Sequence, residues 1–368
     1  QGTFHTEPPT GYLALCTANL PEPTIGPNST TQADDHFNTV VYTGDGQTGL
    51  AVSGVGFQPD FVWLKNRTGT AYYHQIYDST RGATKALYTA VENAEDTVSG
   101  LTAFDSDGFT VGNSAIANNN GVSTVAWNWL ANGGTTVTNE DGSINSTVQA
   151  NTTAGFSIVT YTGAGSAGTV GHGLGAVPKW LIVRNRTEAY SWKVYHAGNT
   201  SAPETDYLVL NSTDATADNV THWADTAPTS TVFSLGTSNA LIKNTNTFVA
   251  YCFAEVEGYS KFGGYTGNGS TDGAFVHLGF RPAWIMTKVT SAVNQWQIHD
   301  NKRNTSNVVN KFLIPNHTNV ENTGTGVLID FLSNGFKIYA SGNSINANAT
   351  TYIYMAFAEA PFKYANAR

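Results

Sequence analysis

Residues 57–65 have the sequence FQPDFVWLK, and they decide the fold because the pattern around them occurs three times. A Tyr-Thr-Gly triplet precedes each copy, at residues 42–44, 161–163 and 265–267. A proline stands 17 residues after each tyrosine, at Pro59, Pro178 and Pro282. Residues that recur at a fixed spacing are the signature of a repeated architecture. The sequence therefore predicts three related domains in one chain.

The equivalence extends to side chains on either side of the proline. A large aromatic residue follows each proline by two positions, at Phe61, Trp180 and Trp284, and a basic residue follows it by six, at Lys65, Arg184 and Lys288. We expect the three aromatic rings to be buried at equivalent places, and Trp192 and Trp296 to pack in cores as well. An acid precedes an arginine by three residues in two copies, at Asp78–Arg81 and Asp300–Arg303. Ion pairs that pin a loop are the favoured interpretation of these charges, with anion binding as the alternative.

The local patterns favour strands. Residues 61–64 (FVWL) and 180–183 (WLIV) are continuous apolar runs, which is typical of strands covered on both faces. Asp107-Gly108 and Asn334-Gly335 are two-residue hairpin signals, and turn signals recur every 8–12 residues, as in a sandwich or barrel. The chain also holds 50 Thr, 35 Asn and 37 Gly, which suit strands and turns. We predict an all-β fold of three tandem, mutually similar antiparallel β-sandwich domains.

The repeats set the expected boundaries. They are an extended N-terminal arm (1–36), repeat 1 (37–132), a linker (133–154), repeat 2 (155–258) and repeat 3 (259–368). The linker is inferred from its Thr, Asn and Gly content. The long first junction and the short second one are expected to work against strict internal threefold symmetry. Residues 82–95 are predicted to form a short helix or a loop over the sheet.

Composition excludes several functional classes. Charged residues make up 12% of the chain, the net charge is −9, and no three basic residues are consecutive, so a nucleic-acid groove is not expected. No apolar run approaches the ~20 residues of a membrane span, so no membrane insertion is expected. Two cysteines, Cys16 and Cys252, are not a disulfide framework, and Cys252 is expected to be a small buried apolar residue.

Five segments of the chain also carry a family resemblance. Residues 57–67 (FQPDFVWLKNR), 79–84 (STRGAT), 106–109 (SDGF) and 256–263 (VEGYSKFG) resemble a repeat of structural and tail-fibre-like proteins of marine tailed bacteriophages. Residues 9–21 (PTGYLALCTANLP) resemble the segment that follows a SPRY-type β-sandwich in those proteins. The resemblance implies jelly-roll or lectin-like β-sandwiches in a virion or tail-associated protein. It carries over no catalytic or binding residue, and residues 231–234 (TVFS) depart from the repeat's Asp-Gly-Phe turn.

Few residues are candidates for chemistry. Tyr72, Tyr73 and Tyr190 lie in loops before a predicted strand, and Trp223 lies in a polar segment, so these four are the receptor- or glycan-binding candidates. Asp105 and Asp107 resemble the start of a calcium loop, but the twelfth position is not Glu, so a turn is favoured over a surface Ca²⁺ site. No catalytic residue, metal ligand or cofactor is otherwise expected.

Three functions remain open from the sequence alone. The favoured one is a virion protein, a tail fibre or surface appendage, that binds a host-surface glycan or other virion proteins. The second is a capsid-decorating or filament-forming subunit without a receptor role. The third is a polysaccharide depolymerase, which needs two carboxylates ~5–10 Å apart in a cleft. Extracellular exposure without a disulfide framework favours a homo-oligomer in which the arm lies against a neighbouring subunit or domain. The resemblance to phage tail appendages implies that this oligomer is a trimer. The alternative is a monomer in which the three repeats of one chain already form a pseudo-threefold unit.

Overall fold

A computed structural model describes residue 19 and residues 22–365, and these are almost entirely β-structure. The all-β antiparallel prediction is confirmed. A 3₁₀ helix, Ala33–Asp35, leads into the first strand. Within the described residues there are three α-helices, each a single turn: α1 (Ala115–Asn118), α2 (Val220–Trp223) and α3 (Asn239–Ile242).

The strands fall into three groups that follow the repeats. Repeat 1 contains β1 (Phe37–Thr43), β2 (Leu50–Ser53), β3 (Phe61–Asn66), β4 (Gln75–Asp78), β5 (Lys85–Tyr88), β6 (Asp96–Thr97), β7 (Leu101–Asp105), β8 (Gly108–Val111) and β9 (Ser123–Trp129). The segment between repeats 1 and 2 contains β10 (Val137–Asn139) and β11 (Ser146–Asn151). Repeat 2 contains β12 (Phe156–Thr162), β13 (Gly168–Gly171), β14 (Pro178–Asn185), β15 (Lys193–His196), β16 (Asp206–Val209), β17 (Ala217–Asp218), β18 (Val232–Leu235) and β19 (Thr247–Ala254). Repeat 3 contains β20 (Ser260–Thr266), β21 (Phe275–His277), β22 (Phe280–Val289), β23 (Gln297–Asp300), β24 (Lys311–Phe312), β25 (Asn322–Thr323), β26 (Ile329–Leu332), β27 (Gly335–Ile338) and β28 (Thr351–Pro361).

Each group builds a large and a small sheet. The large sheets share one antiparallel order, β1-β9-β3-β4, β12-β19-β14-β15 and β20-β28-β22-β23, which continues into β5 and β6 in repeat 1 and into β16 and β17 in repeat 2. The small sheets are β2-β8-β7, β13-β18 and β21-β27-β26, and repeat 3 also has a two-stranded sheet, β24-β25. The Asp107-Gly108 and Asn334-Gly335 signals join β7 to β8 and β26 to β27, as expected for hairpin turns.

Alternating side chains of the large sheets enter two different cores. In β3, Val62 and Leu64 pack with Phe109 and Val111 of the small sheet, inside the sandwich of repeat 1. Phe61 and Trp63, which alternate with them along β3, enter a cluster that also holds residues of repeats 2 and 3. Because both faces of β3 are covered, all six of its residues are buried, which explains the continuous apolar run.

A triad of equivalent rings lies where the three large sheets meet. Trp129, Phe253 and Phe357 occupy the same position in β9, β19 and β28, opposite Phe61, Trp180 and Trp284 respectively. Their ring centroids lie 5.5–6.4 Å apart. The predicted burial of Phe61, Trp180 and Trp284 is confirmed, since each is at most 1% exposed. The repeats therefore share one central core and surround an approximate threefold axis, despite their unequal junctions.

The structure differs from two local expectations. The predicted linker 133–154 contains β10 and β11, and β11 pairs along β12, so this segment extends the large sheet of repeat 2. Its Thr, Asn and Gly content suits an edge strand with tight turns as well as a linker. For residues 82–95 the predicted alternatives are a short helix and a loop, and the helix is wrong. Lys85–Tyr88 form β5 beside β4, and this pairing outweighs the helix propensity of Ala, Lys and Leu, while the flanking residues form turns and irregular chain.

Part of the predicted arm is described. Ile25 is fully buried in the shared core, and the Glu22 carboxylate accepts a hydrogen bond from Lys363 Nζ at 2.5 Å. The arm's Leu13, Leu15, Cys16 and Leu20 lie outside the described residues, so the expected contact of these residues with a neighbour stays a prediction. Among the described residues, no helix is long and apolar enough to cross a membrane.

Candidate functional site

The ionisable side chains that recur in the sequence meet at the interfaces between repeats. We call the contact of repeat 1 with repeat 2 the first interface, that of repeat 2 with repeat 3 the second, and that of repeat 3 with repeat 1 the third. At the first interface, the loop after β4 approaches β12 and β19. At the second, the loop after β15 approaches β20 and β28, and at the third, the loop after β23 approaches β1 and β9.

The acid–arginine pairs lie at the first and third interfaces, and the predicted ion pairs are confirmed. Arg81 pairs with Asp78 and, at 2.9 Å, with Glu95. Arg303 pairs with Asp300 at 2.5 Å and with Glu321 at 3.3 Å. Both guanidinium groups and both aspartates are fully buried. The desolvation cost of a buried charge is offset only where its ion pairs and hydrogen bonds are complete. Because these four groups are paired in this way, we assign them a structural role.

Each of these aspartates also accepts a hydrogen bond from the next repeat. Tyr251 Oη donates to Asp78 Oδ2 at 2.7 Å across the first interface. Trp127 Nε1 donates to Asp300 Oδ2 at 3.0 Å across the third. Tyr251 and Trp127 stand at the same position of β19 and β9, so the two contacts are equivalent.

The second interface uses a neutral group at the same place. The equivalent of Tyr251 and Trp127 is Met355, which has no hydrogen-bond donor in its side chain. The equivalent of the aspartates is His196, whose Nε2 lies 3.1 Å from the Tyr354 carbonyl oxygen. Its Nδ1 accepts from Gly198 N at 3.0 Å, so Nε2 carries the proton. Burial lowers the pKa of His196 to about 4, so the ring is neutral near pH 7.

The three basic residues Lys65, Arg184 and Lys288 bind loop carbonyls of their own and of the preceding repeat. Lys65 Nζ donates to the Tyr72 carbonyl at 2.5 Å and to the Thr318 carbonyl at 2.8 Å. Lys288 Nζ donates to the Asn294 carbonyl at 2.9 Å and to the Thr213 carbonyl at 3.1 Å.

Arg184 follows the same pattern, donating to the carbonyls of Tyr190, Val91 and Asn93. Burial lowers the pKa of Lys65 to about 7, that of Lys288 to about 8 and that of Arg184 to about 10. Because these donors are buried and bonded to carbonyl oxygens, the structure gives no support to the anion-binding alternative.

Main-chain and indole contacts complete the ring of interfaces. Glu95 N donates to Arg186 O, Thr216 N to Thr290 O and Glu321 N to Arg67 O, at 2.8, 2.8 and 2.9 Å. Trp192 and Trp296 are buried as predicted, and their Nε1 atoms donate to the carbonyls of Tyr88 and Val209. The main-chain contact therefore recurs at all three interfaces, and the indole contact recurs at the first and second.

The tyrosine candidates lie at the surface near these interfaces. Tyr73 is 36% exposed and its ring lies 6.0 Å from that of Tyr88. Tyr72 and Tyr190 are half-buried, and their carbonyls receive Lys65 and Arg184. These positions leave Tyr73 the most accessible of the three rings.

The three remaining candidate residues make structural contacts. Trp223 is 2% exposed, and its Nε1 donates to the Asp206 carbonyl at 3.1 Å, so a receptor role for its ring is wrong. The polar-looking segment is in fact α2, which turns this ring inward onto Tyr195. Asp107 accepts the backbone N–H groups of Gly54 and Gly56, which lowers its pKa, and Asp105 accepts from Thr110 Oγ1. In the described part of the chain, no group of three or more His, Cys, Asp or Glu residues could hold a metal ion.

A cavity of about 340 Å³ opens at the third interface. Its polar lining includes Asp34, Asn38, Arg281, Asn301, Lys302 and Glu359. Glu359 Oε2 accepts from Arg281 Nε at 2.7 Å and from Asn301 Nδ2 at 3.0 Å. No sequence signal marks this cavity, because it lies between repeats that are remote along the chain.

Comparison with known proteins identifies the family. No curated protein and no solved structure matches the chain. A family model described as "Domain of unknown function (DUF7483)" matches residues 32–361, which include all 28 strands described above. The chain therefore belongs to the DUF7483 family.

Proposed function

We propose that the chain is a structural protein of a bacteriophage virion, a tail fibre or surface appendage, that contributes adhesion to a host-surface glycan or to virion assembly. The observation that carries the proposal is the burial of the repeated ionisable residues between repeats. Asp78, Asp300, Lys65, Arg184 and Lys288 are buried and hydrogen-bonded between repeats. This arrangement suits a scaffold whose surface loops meet other molecules.

The adhesive part of the proposal rests on Tyr73, with its sequence neighbour Tyr72 and with Tyr190 in the corresponding loop of repeat 2 as further candidates. An exposed tyrosine offers an apolar ring face together with a hydroxyl, which suits a sugar ring and its hydroxyl groups. The proposed partners are a host glycan, other virion proteins and further copies of the chain, with a trimer favoured. The proposed location is the virion surface, exposed to the extracellular medium.

A capsid-decorating or filament-forming subunit without a receptor role is the alternative, and the buried interfaces support it equally. A polysaccharide depolymerase is less favoured. Asp34 and Glu359 both line the cavity, but the Glu359 carboxylate is bound to Arg281 and Asn301 instead of being held as a free acid or base.

Immunogold labelling of virions, followed by binding of the fluorescently labelled chain to host cells, tests the proposal. We expect gold particles on the virion and cell binding that Tyr73→Ala reduces at least tenfold. Tyr339→Ala is the matched control, because Tyr339 is similarly exposed, at 40%, but lies in repeat 3 and is not a candidate. Absence of the chain from virions would contradict the structural role. Labelled virions with no binding to cells would favour the alternative without a receptor.

A further inference from the structure

The cavity at the third interface occupies the place that a strand fills at the first. At the first interface, β11 pairs along the outer edge of β12, with Gln149 and Ala150 opposite Ile158 and Ser157. The fully buried Gln149 side chain reaches Ser79 Oγ at 3.0 Å and, with its amide oriented to satisfy both ends, donates to Asp60 Oδ1 at 2.8 Å.

The residues that correspond to those around Gln149 line the cavity. By the repeat alignment, Ser79 and Asp60 correspond to Asn301 and Ala283, while Ser157 and Ile158 correspond to Asn38 and Thr39, and all four of these correspondents border the cavity. Repeat 1 provides no described strand beyond β1, which is the edge of its sheet. The cavity is therefore the position of an absent neighbour of β1.

The second interface shows that such a place can instead be closed. There, Gly198 lies against Gly263 and Gly264 of the edge strand β20, so closely that a Cβ at Gly198 would be 3.0 Å from the Gly263 carbonyl carbon. Of the three equivalent places, one holds a strand, one is closed by backbone contact and one is open.

Among the residues that the structure describes, no strand pairs with the outer edge of β1. Leu130 N donates to His36 O and Gly44 N to Val122 O, so the even-numbered residues from 36 to 44 face β9. By the alternation of an antiparallel ladder, the backbone groups of Phe37, Thr39, Val41 and Thr43 face outward. The Asn38 side chain caps Thr39 N at 2.9 Å, and Val41 is 40% exposed. An unpaired edge of this kind is a template for an added strand.

The chemistry of the cavity restricts the side chain that such a strand would carry. Asp34 and Glu359 balance Arg281 and Lys302, so the lining has no net formal charge. Asn301 Oδ1 and Thr39 Oγ1 are buried without a hydrogen-bond partner among the described residues. A neutral amide, which has both donors and an acceptor, suits these groups better than a charged or an apolar side chain.

We propose that the outer edge of β1 and the adjoining cavity bind an extended strand of a partner polypeptide, which places a Gln or Asn side chain in the cavity as β11 places Gln149. This is β-strand addition: backbone hydrogen bonds to β1 supply affinity and the cavity supplies specificity. The inference rests on the proposed structural function in one respect, which is that the partner is a protein.

The test uses a blocked synthetic peptide with the sequence of residues 144–152 (INSTVQANT) and the full chain carrying ¹³C-methyl alanine. Ala283 and Ala358 line the cavity, so we expect their methyl resonances to shift on titration. A peptide with Leu in place of the Gln is expected to bind at least fivefold more weakly. Binding of a peptide to the purified chain does not depend on any virion, so its failure is distinct from failure of the proposed function.

Val41→Pro tests the edge directly. Proline removes an N–H that faces outward, so it blocks strand addition but leaves the β1–β9 ladder intact. We expect at least a tenfold loss of peptide affinity in Val41→Pro and none in the matched control Val41→Thr, with circular dichroism establishing that both fold.

Three outcomes would overturn the proposal. The first is the absence of methyl shifts at millimolar peptide, and the second is equal binding by Val41→Pro. The third is binding that appears only after residues 1–21 are removed, which would make the chain's own N-terminal segment the occupant of the edge.

Discussion

The first and second interfaces have the same arrangement of strands, but the buried polar group is charged at the first and neutral at the second. At the first, the buried Asp78–Arg81 pair receives a hydrogen bond from Tyr251. At the second, a neutral His196 meets the carbonyl of Tyr354. The acid occurs where the next repeat offers a hydroxyl or indole donor, and the imidazole occurs where it offers Met355. The difference between them shows that this position requires a satisfied polar group and does not require a charge.

The largest expected effect comes from breaking an ion pair at the third interface, which has the same chemistry as the first. Asp300→Ala leaves the buried Arg303 guanidinium with only Glu321 as an ionic partner and removes the acceptor of Trp127. We expect the free energy of unfolding to fall by about 3–5 kcal/mol in urea denaturation. The control Glu140→Ala changes an exposed acid and is expected to alter it by less than about 0.5 kcal/mol. A loss below about 1 kcal/mol for Asp300→Ala would show that the pair is dispensable.

Truncation of His196 at the second interface is expected to lower the free energy of unfolding by a smaller amount. His196→Ala removes two hydrogen bonds but strands no charge, so we expect a loss of about 1–3 kcal/mol in the same denaturation experiment. If His196→Ala destabilised the chain more than Asp300→Ala, the distinction between charged and neutral interfaces would fail.

The neutral interface should also respond to acid. The pKa of His196 is lowered by burial to about 4 in the folded chain, whereas an unfolded histidine titrates near ~6.5. The unfolded state therefore binds the proton first, and stability falls as the pH drops from about 6.5 towards about 4. His196→Gln keeps a hydrogen-bonding side chain but cannot titrate, so its free energy of unfolding should decline less over this interval. Parallel declines in the two proteins would assign the acid response to other groups.

Much of the strand framework could be predicted from the sequence because it depends on local spacing. The Tyr-Thr-Gly triplets and the prolines locate β1, β12 and β20 and the three central strands, and the spacing of Asp78 and Arg81 indicated their ion pair. The burial of Trp223 and the pairing of β11 with β12 depend on tertiary contacts that local periodicity does not contain. The shared aromatic core and the cavity arise only when repeats that are remote along the chain meet.

Repeat 3 closes on repeat 1 to complete a ring, and a double-mutant cycle of Trp127→Phe and Asp300→Asn measures this closure. These residues are 173 positions apart and meet only across the third interface. We predict a coupling energy of about 1–3 kcal/mol in the free energy of unfolding, as expected for a buried hydrogen bond to a charged group. Additivity of the two substitutions to within about 0.5 kcal/mol would contradict the closed ring.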